Sequence, residues 1–443
     1  MSTFTHLLPT VSSKRRPLLF LAVAALILLI SLATRTLHDW FAPKPNRPAA
    51  VELGSQAGIS QVEAQLQRSP DAESYALLGQ GLLQQVRETG DVTLYARADQ
   101  AFSEALKRDP KLVDGLVGRG ILALAMHDFN RALDWAEQAW GLNSFRAQTL
   151  GVKVDGLVEL GRYDEAVATL QQMVDLRPDV ASYTRISYLR ELHGEVEGAI
   201  EAMRMATSMV VPGTEQWLWS TVQLGNLYGN NGRLAEAEQS YRQALQLRAD
   251  YPYALAGLAR VQAAQGDFAS AIAGLDQLVK RLPLPEFVVT LGELYEVSGQ
   301  PKLAQQQYDL VRTMQKLNAA SGMNVDLELA TFEVNHGDDP ATALAQAQAA
   351  YAERPTVFAA DTLAWAYYRT GDLSHAQHYS NAALRLNTQD ALIHFHAGMI
   401  AAAQGDTTTA QRYLGQALAI NPAFSLLYAS QAQAKLAELG RQP

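Results

Sequence analysis

The chain has 443 residues, of which 48% are apolar, and a formal net charge of −9. That apolar content is enough to bury a sizeable core, which excludes a disordered chain. The acidic balance, with no Lys/Arg-rich face beyond the first sixteen residues, excludes phosphate-driven binding of nucleic acid. The chain contains no cysteine, which excludes disulfides, thiolate metal sites, cysteine nucleophiles and a lipoprotein anchor.

The N-terminal region combines basic residues with an apolar run. Lys14-Arg15-Arg16 precedes residues 17–34, which carry no charge. As a helix this run would span about 27 Å, close to the thickness of a bilayer core. We therefore expect a single-pass anchor in the cytoplasmic membrane, with residues 1–16 inside the cytoplasm and the rest of the chain outside it. A signal peptide cleaved near Ala33, giving a secreted chain, is the alternative.

Residues 35–71 are expected to be a linker, because their first half is rich in proline and lacks helical periodicity. From Ala72 onward the sequence repeats every 33 or 34 residues, with two longer steps at insertions. The unit from Leu224 to Leu245 is the clearest, and the unit from Leu291 to Val311 matches it position for position. One alanine per unit sets the register: Ala98, Ala132, Ala166, Ala199, Ala237, Ala271, Ala304, Ala343, Ala376 and Ala410.

The spacing that recurs within each unit is explained by the packing of two helices. We expect Gly225 and Gly292 where the helices of a hairpin cross, since a side chain there would force them apart. Tyr228 is expected to fill the space between neighbouring hairpins. Gly232 and Gly299 should end the first helix, where a positive φ favours glycine.

These units resemble the tetratricopeptide-repeat family over residues 72–422. The resemblance implies an all-α, right-handed solenoid of about ten helical hairpins whose first helices line a concave groove for peptides or partner proteins. Residues 423–443 are expected to form a capping helix and tail. The last repeat, residues 395–424, looks like that of exported bacterial repeat proteins, so an exported or membrane-anchored bacterial member is expected.

In this family the groove is lined by the second, fifth, ninth and twelfth positions of each first helix, which share one helix face. Carried onto this chain, the resemblance assigns a partner-binding groove to Tyr188, Glu191, Trp219, Asn226, Tyr253, Arg260, Glu293, Glu296, Phe358, Asp361, Trp365, Tyr368, Phe395 and Met399. The most aromatic part is predicted near the C-terminal end, where packing between hairpins is the alternative for Trp365 and Phe395. The acidic excess favours a neutral or basic extended segment as the partner.

No motif in the sequence predicts catalysis or a cofactor. Gly118-x-Gly120-x-x-Ala123 matches a loose dinucleotide pattern but lies inside a predicted helix, where glycine serves packing. His375 and His378 are three residues apart on one helix, and His394 follows on the next. The sequence thus predicts a non-catalytic, membrane-anchored scaffold that binds a protein partner. The alternative is a secreted or periplasmic protein that binds a small ligand or metal ion through the cluster from His375 to His396.

Overall fold

The computed structural model describes residues 54–441, which contain helices and no strand. They belong to one unit of the chain, Leu53–Pro443. The predicted cytoplasmic segment, the apolar run over residues 17–34 and the start of the linker lie outside the described residues. Among the helices within residues 54–441, none is long and apolar enough to cross a bilayer.

Twenty-two α-helices follow one another over the described residues. They are α1 Gln56–Arg68, α2 Ala72–Thr89, α3 Leu94–Arg108, α4 Val113–Ala125, α5 Phe129–Leu142, α6 Ala147–Glu159, α7 Tyr163–Leu176, α8 Val180–Leu192, α9 Val196–Ser208, α10 Glu215–Asn230, α11 Leu234–Leu247, α12 Pro252–Ala264, α13 Phe268–Arg281, α14 Pro285–Val297, α15 Pro301–Ala320, α16 Asp326–His336, α17 Pro340–Glu353, α18 Val357–Thr370, α19 Leu373–Ala383, α20 Ala391–Ala403, α21 Thr407–Ile420 and α22 Ala429–Leu439. Helices α2 to α21 pair into ten hairpins, from hairpin 1 (α2 and α3) to hairpin 10 (α20 and α21). The all-helical hairpin stack is as predicted.

Helix α1 differs from the sequence prediction, which placed its residues in the linker. Ser55 starts the helix by accepting a hydrogen bond from the Gly58 amide at 3.1 Å. Ile59 and Val62, three residues apart on one face, are buried. Ile59 belongs to the core of the first hairpin. The helical region therefore begins at α1 and not at Ala72, and α1 covers the N-terminal end of the stack as α22 covers the other.

The hairpins pack through the predicted alanines and through aromatic rings that lie against glycines. None of the ten register alanines is more than 3% exposed. The Tyr241 ring of α11 lies between Gly225 of α10 and Gly257 of α12, where an added methyl group would lie 2.6 and 2.4 Å from ring carbons. Glycine at the crossing thus makes room for a ring from the second helix. Tyr228 is buried as predicted.

The turns inside the hairpins have the left-handed backbone that glycine favours. Gly232 and Gly299 have φ values of 70° and 73°, as their position at the end of the first helix predicted. Hairpin 2 has His127 at the equivalent turn, with a φ of 59°. This conformation is uncommon for a residue with a side chain. Contacts with a distant hairpin hold His127 in place.

Turns of the early hairpins contact junctions between late hairpins, and we call this set of contacts the seam. Three hydrogen bonds mark it: His127 Nδ1 to Asn324 O (2.8 Å), Val357 N to Tyr163 Oη (3.0 Å) and Asn421 Nδ2 to Gly229 O (3.0 Å). The paired residues are 192 to 197 positions apart in the chain. Each turn therefore meets the start of the element six hairpins further along. A stack held only by neighbouring hairpins would lack these contacts.

Arg354 is the ionic centre of the seam. Its guanidinium is 2.5 Å from Glu159 and 3.1 Å from Glu328, and it lies over the Phe129 ring at 4.6 Å. Burial opposes the ionisation of Glu328, but the adjacent His127 and Arg354 outweigh it and lower the pKa of Glu328 to about 2. These contacts join hairpins 2, 3 and 8.

Candidate functional site

Three adjoining cavities lie along the first helices of hairpins 3 to 7. The central cavity, about 460 Å³, is lined mainly by α6, α8, α10 and α12. The Tyr253 cavity, about 330 Å³, shares Trp219, Asn226 and Arg260 with it and extends to α14. The seam cavity, about 350 Å³, shares Tyr188, Glu191 and Asn230 with the central cavity and reaches hairpins 9 and 10. Because neighbouring cavities share residues, they form one continuous groove.

The structure brings together seven of the predicted groove residues along these cavities, namely Tyr188, Glu191, Trp219, Asn226, Tyr253, Arg260 and Phe358. Tyr188 and Trp219 are 40% and 42% exposed, although their faces line the central cavity. Exposed aromatic rings in a concave surface are typical of residues that a partner covers.

Asn226 links the groove to the hairpin core. Its Oδ1 accepts a hydrogen bond from Tyr241 Oη at 2.8 Å and another from Arg260 at 2.7 Å. Its Nδ2 donates to Gln223 at 3.2 Å. Tyr241 is held between two glycines, so it fixes Asn226, which in turn fixes the guanidinium of Arg260 in the groove.

The groove carries charges of both signs. Arg185 makes two hydrogen bonds with Asp155, at 2.8 and 2.5 Å, so these two charges offset each other. Burial raises the pKa of Glu191 and of Glu286, and at Glu286 the charge of Arg260 opposes that rise. A ligand for this surface therefore needs polar groups as well as apolar contacts.

Tyr253 contacts the first hairpin across the groove. Its hydroxyl donates to the backbone oxygen of Arg87 at 3.4 Å, and its ring meets Phe287 edge-on at 5.9 Å. Burial, with the nearby carboxylates of Glu286 and Glu215, raises the pKa of Tyr253 to about 12. Tyr253 is thus a neutral hydrogen-bonding group at any physiological pH.

Two predicted residues of α14 lie outside the three cavities. Glu296 accepts a hydrogen bond from Tyr308 Oη at 2.7 Å. Glu293 lies 3.4 Å from His336 Nε2. Both carboxylates are thus engaged with the neighbouring helices α15 and α16.

The C-terminal aromatic residues are packed into the core, which corrects the prediction of a groove there. Trp365 is 6% exposed and Phe395 0%. The Trp365 ring stacks between Tyr368 and His396, with centroids 4.4 and 4.2 Å away. Tyr428, which precedes α22, stacks on Phe395 at 5.2 Å. The capping segment therefore covers the face that would otherwise be groove.

Asp361 and Met399 belong to the same covered region. Asp361 is buried and accepts a hydrogen bond from His396 Nδ1 at 2.9 Å. Met399 is half-buried against the same apolar cluster as Trp365. Packing between hairpins, the alternative left open for Trp365 and Phe395, thus describes these residues too.

The candidate metal ligands do not converge. His375 is 2.7 Å from Asp372 and stacks on Tyr367, while His378 meets Tyr379 edge-on. Buried His394 bonds the backbone oxygen of Asp390. Within residues 54–441, no three His, Asp or Glu side chains are placed to hold one ion. Nothing in this geometry favours the metal-binding alternative.

The loose dinucleotide pattern is a packing feature. Gly118 and Gly120 lie in the middle of α4. A methyl group on Gly118 would lie 2.1 Å from the Phe102 ring, and one on Gly120 would lie 2.9 Å from Val152. Both glycines allow close approach of helices, and α4 presents no phosphate-binding turn at this position.

Family models described as tetratricopeptide repeat match residues 152–209, 230–288 and 362–425. The chain contains tetratricopeptide repeats. Proteins built from these repeats are generally non-catalytic scaffolds that bind protein partners, and the groove fits that role.

Similar proteins include two long relatives. The chain is 26% identical over 223 residues to cellulose synthase 1 operon protein C of Komagataeibacter xylinus, covering 50% of this chain and 14% of that protein. It is 26% identical over 185 residues to tetratricopeptide repeat protein 13 of Homo sapiens, covering 41% of this chain and 20% of that protein. The chain therefore spans only a small part of these relatives.

Among solved structures, the human IFIT1 dimer with PPP-AAAA superposes with a TM-score of 0.47 and 17% identity, over 75% of this chain and 78% of that chain. The crystal structure of MamA superposes with a TM-score of 0.30 and 16% identity, over 37% of this chain and 93% of that chain. At these levels neither likeness assigns a ligand.

Proposed function

We propose that this chain is a non-catalytic scaffold that binds an extended segment of a protein partner in the groove along α8, α10 and α12. The observation that carries the proposal is the exposure of Tyr188 and Trp219 inside the central cavity, beside the fixed guanidinium of Arg260. Aromatic and arginine side chains supply most of the binding energy at protein interfaces. The continuity of three cavities supports an extended ligand over a compact one.

Trp219→Ala is expected to weaken binding of a groove peptide by about 10-fold or more, because the ring joins the central and Tyr253 cavities. The probe is the tightest peptide selected from a displayed library of extended peptides on the full chain. Its dissociation constant is measured by calorimetry on both proteins.

The matched control is Phe145→Ala. Phe145 is an 82% exposed ring in the turn between α5 and α6 and lines none of the three cavities. This variant should leave the dissociation constant unchanged. Equal affinities of the wild-type chain and the Trp219 variant would reject the groove as the binding surface.

We further propose that residues 17–34 hold the repeats at the outer face of the cytoplasmic membrane, with residues 1–16 inside. The uncharged length of the run and the preceding basic triplet support this orientation. The expected result is a full-length chain that stays in the membrane pellet after an alkaline wash. Release of the chain by the wash, with a mass that corresponds to a chain starting just after Ala33, would support cleavage instead. A full-length chain recovered without membranes would contradict both.

A further inference from the structure

The seam cavity is built by two parts of the chain that are far apart in sequence. One wall comes from the ends of α8 and α10, with Tyr188, Glu191 and Asn230. The opposite wall comes from hairpins 9 and 10 and the segment before α22, with Phe358 and Asp390 among its residues. The cavity therefore exists only when the seam is closed.

The charged residues that line this cavity are all acidic. Its fourteen lining residues include two carboxylates, Glu191 and Asp390, and no lysine, arginine or histidine. Glu191 accepts a hydrogen bond from Asn230 at 3.3 Å, and Asp390 accepts from the Leu392 and Ile393 amides at 2.9 and 3.0 Å. Over residues 54–441, no salt bridge to either carboxylate is present. Burial raises the pKa of both carboxyls, and the Asp390 charge adds to the rise at Glu191.

The remaining walls are aromatic. Tyr188 and Phe358 are exposed rings, and Phe424 is half-buried. Aromatic faces attract cations, and the planar guanidinium of arginine both stacks on such faces and pairs with carboxylates. The central cavity differs, because Arg260 supplies positive charge there and Arg185 is already paired with Asp155.

We infer that the seam cavity binds the side chain of an arginine in the partner segment, between the rings of Tyr188 and Phe358 and the carboxylates of Glu191 and Asp390. This inference rests on the proposed function, because the adjoining central cavity would hold the rest of that segment. It also makes the closed seam a condition for binding the arginine, since one carboxylate comes from each wall.

The test uses Nα-acetyl-arginine amide as the probe and Nα-acetyl-citrulline amide as its neutral counterpart, which has nearly the same shape. Binding to the full chain is followed by saturation-transfer NMR. The arginine probe is expected to bind. The affinity for the citrulline probe is expected to be lower by about fivefold or more. Glu191→Gln, which keeps the hydrogen bond to Asn230, should weaken binding of the arginine probe by about fivefold.

Glu195→Gln is the matched control, because Glu195 is a well-exposed carboxylate in the next turn and does not line the cavity. This variant should bind the arginine probe as the wild-type chain does. Absence of binding, equal binding of the two probes, or an unchanged Glu191 variant would overturn the inference. Any of these results would leave the proposed function standing, because that function is tested separately by the selected peptide and the Trp219 variant.

Discussion

Arg354→Ala is expected to lower the free energy of unfolding by about 2 to 3 kcal/mol and to make unfolding less cooperative. The side chain is 8% exposed and pairs with Glu159 and Glu328, which are 34% and 40% exposed. Removing the arginine that contacts both carboxylates leaves two negative charges near each other without it. The partial exposure of the carboxylates keeps the loss of stability below that of a fully buried pair. Cooperativity should fall because Arg354 links hairpin 8 to hairpins 2 and 3.

Urea unfolding of the variant and the wild-type chain checks this expectation, with Arg242→Ala as the control. Arg242 is exposed and pairs with Glu238 one helical turn away, so its loss should cost about 0.5 kcal/mol or less. Equal losses in the two variants would contradict a stabilising seam.

The contribution of Glu328 to the free energy of unfolding should be present above about pH 4.5 and be lost as the pH falls toward its folded pKa of about 2, since that pKa is lowered.

Tyr241→Ala is expected to destabilise the chain by about 3 to 4 kcal/mol, because it leaves a cavity between two hairpins. The ring is 2% exposed and fills the space over Gly225 and Gly257, which have no side chains to collapse into the gap. Thermal and urea unfolding measure the loss.

Tyr241→Phe separates packing from hydrogen bonding. It keeps the ring and removes only the hydroxyl that donates to Asn226, so the loss of stability should be about 1 kcal/mol. The same variant should also weaken binding of the groove peptide, because the side chains of Asn226 and Arg260 lose their fixed position. A Phe variant as unstable as the Ala variant would refute the packing account.

The repeat register could be read from the sequence because it depends on contacts within one or two hairpins. The alanine of each unit recurs every 33 or 34 residues, apart from the two longer steps at insertions, and the structure buries all ten alanines. Gly225 and Gly292 lie against the rings of Tyr241 and Tyr308, as expected for close helix crossings. Local spacing also placed Gly232 and Gly299 at turns with positive φ.

The seam could not be predicted in this way. It joins residues such as Tyr163 and Val357, and their meeting depends on small rotations that accumulate over six hairpins. No local pattern encodes that sum, so the seam cavity could not be predicted either.

The family rule for groove positions selects residues that line the cavities in the middle of the chain, but near its end it selects buried residues. Asp155 is the ninth residue of α6 and Glu286 the second of α14, so the rule would have found both, although the prediction did not include them. Trp365 and Phe395 also occupy rule positions, yet the segment before α22 covers them. The apolar side of residues 424–439 was visible in the sequence and was the signal that this face is covered.

A crystal structure of the chain with the selected peptide would show whether the groove along α8, α10 and α12 holds an extended segment. We expect an extended peptide in contact with Tyr188, Trp219 and Arg260. A peptide bound to the outer surface formed by the second helices, with these three residues uncovered, would contradict it.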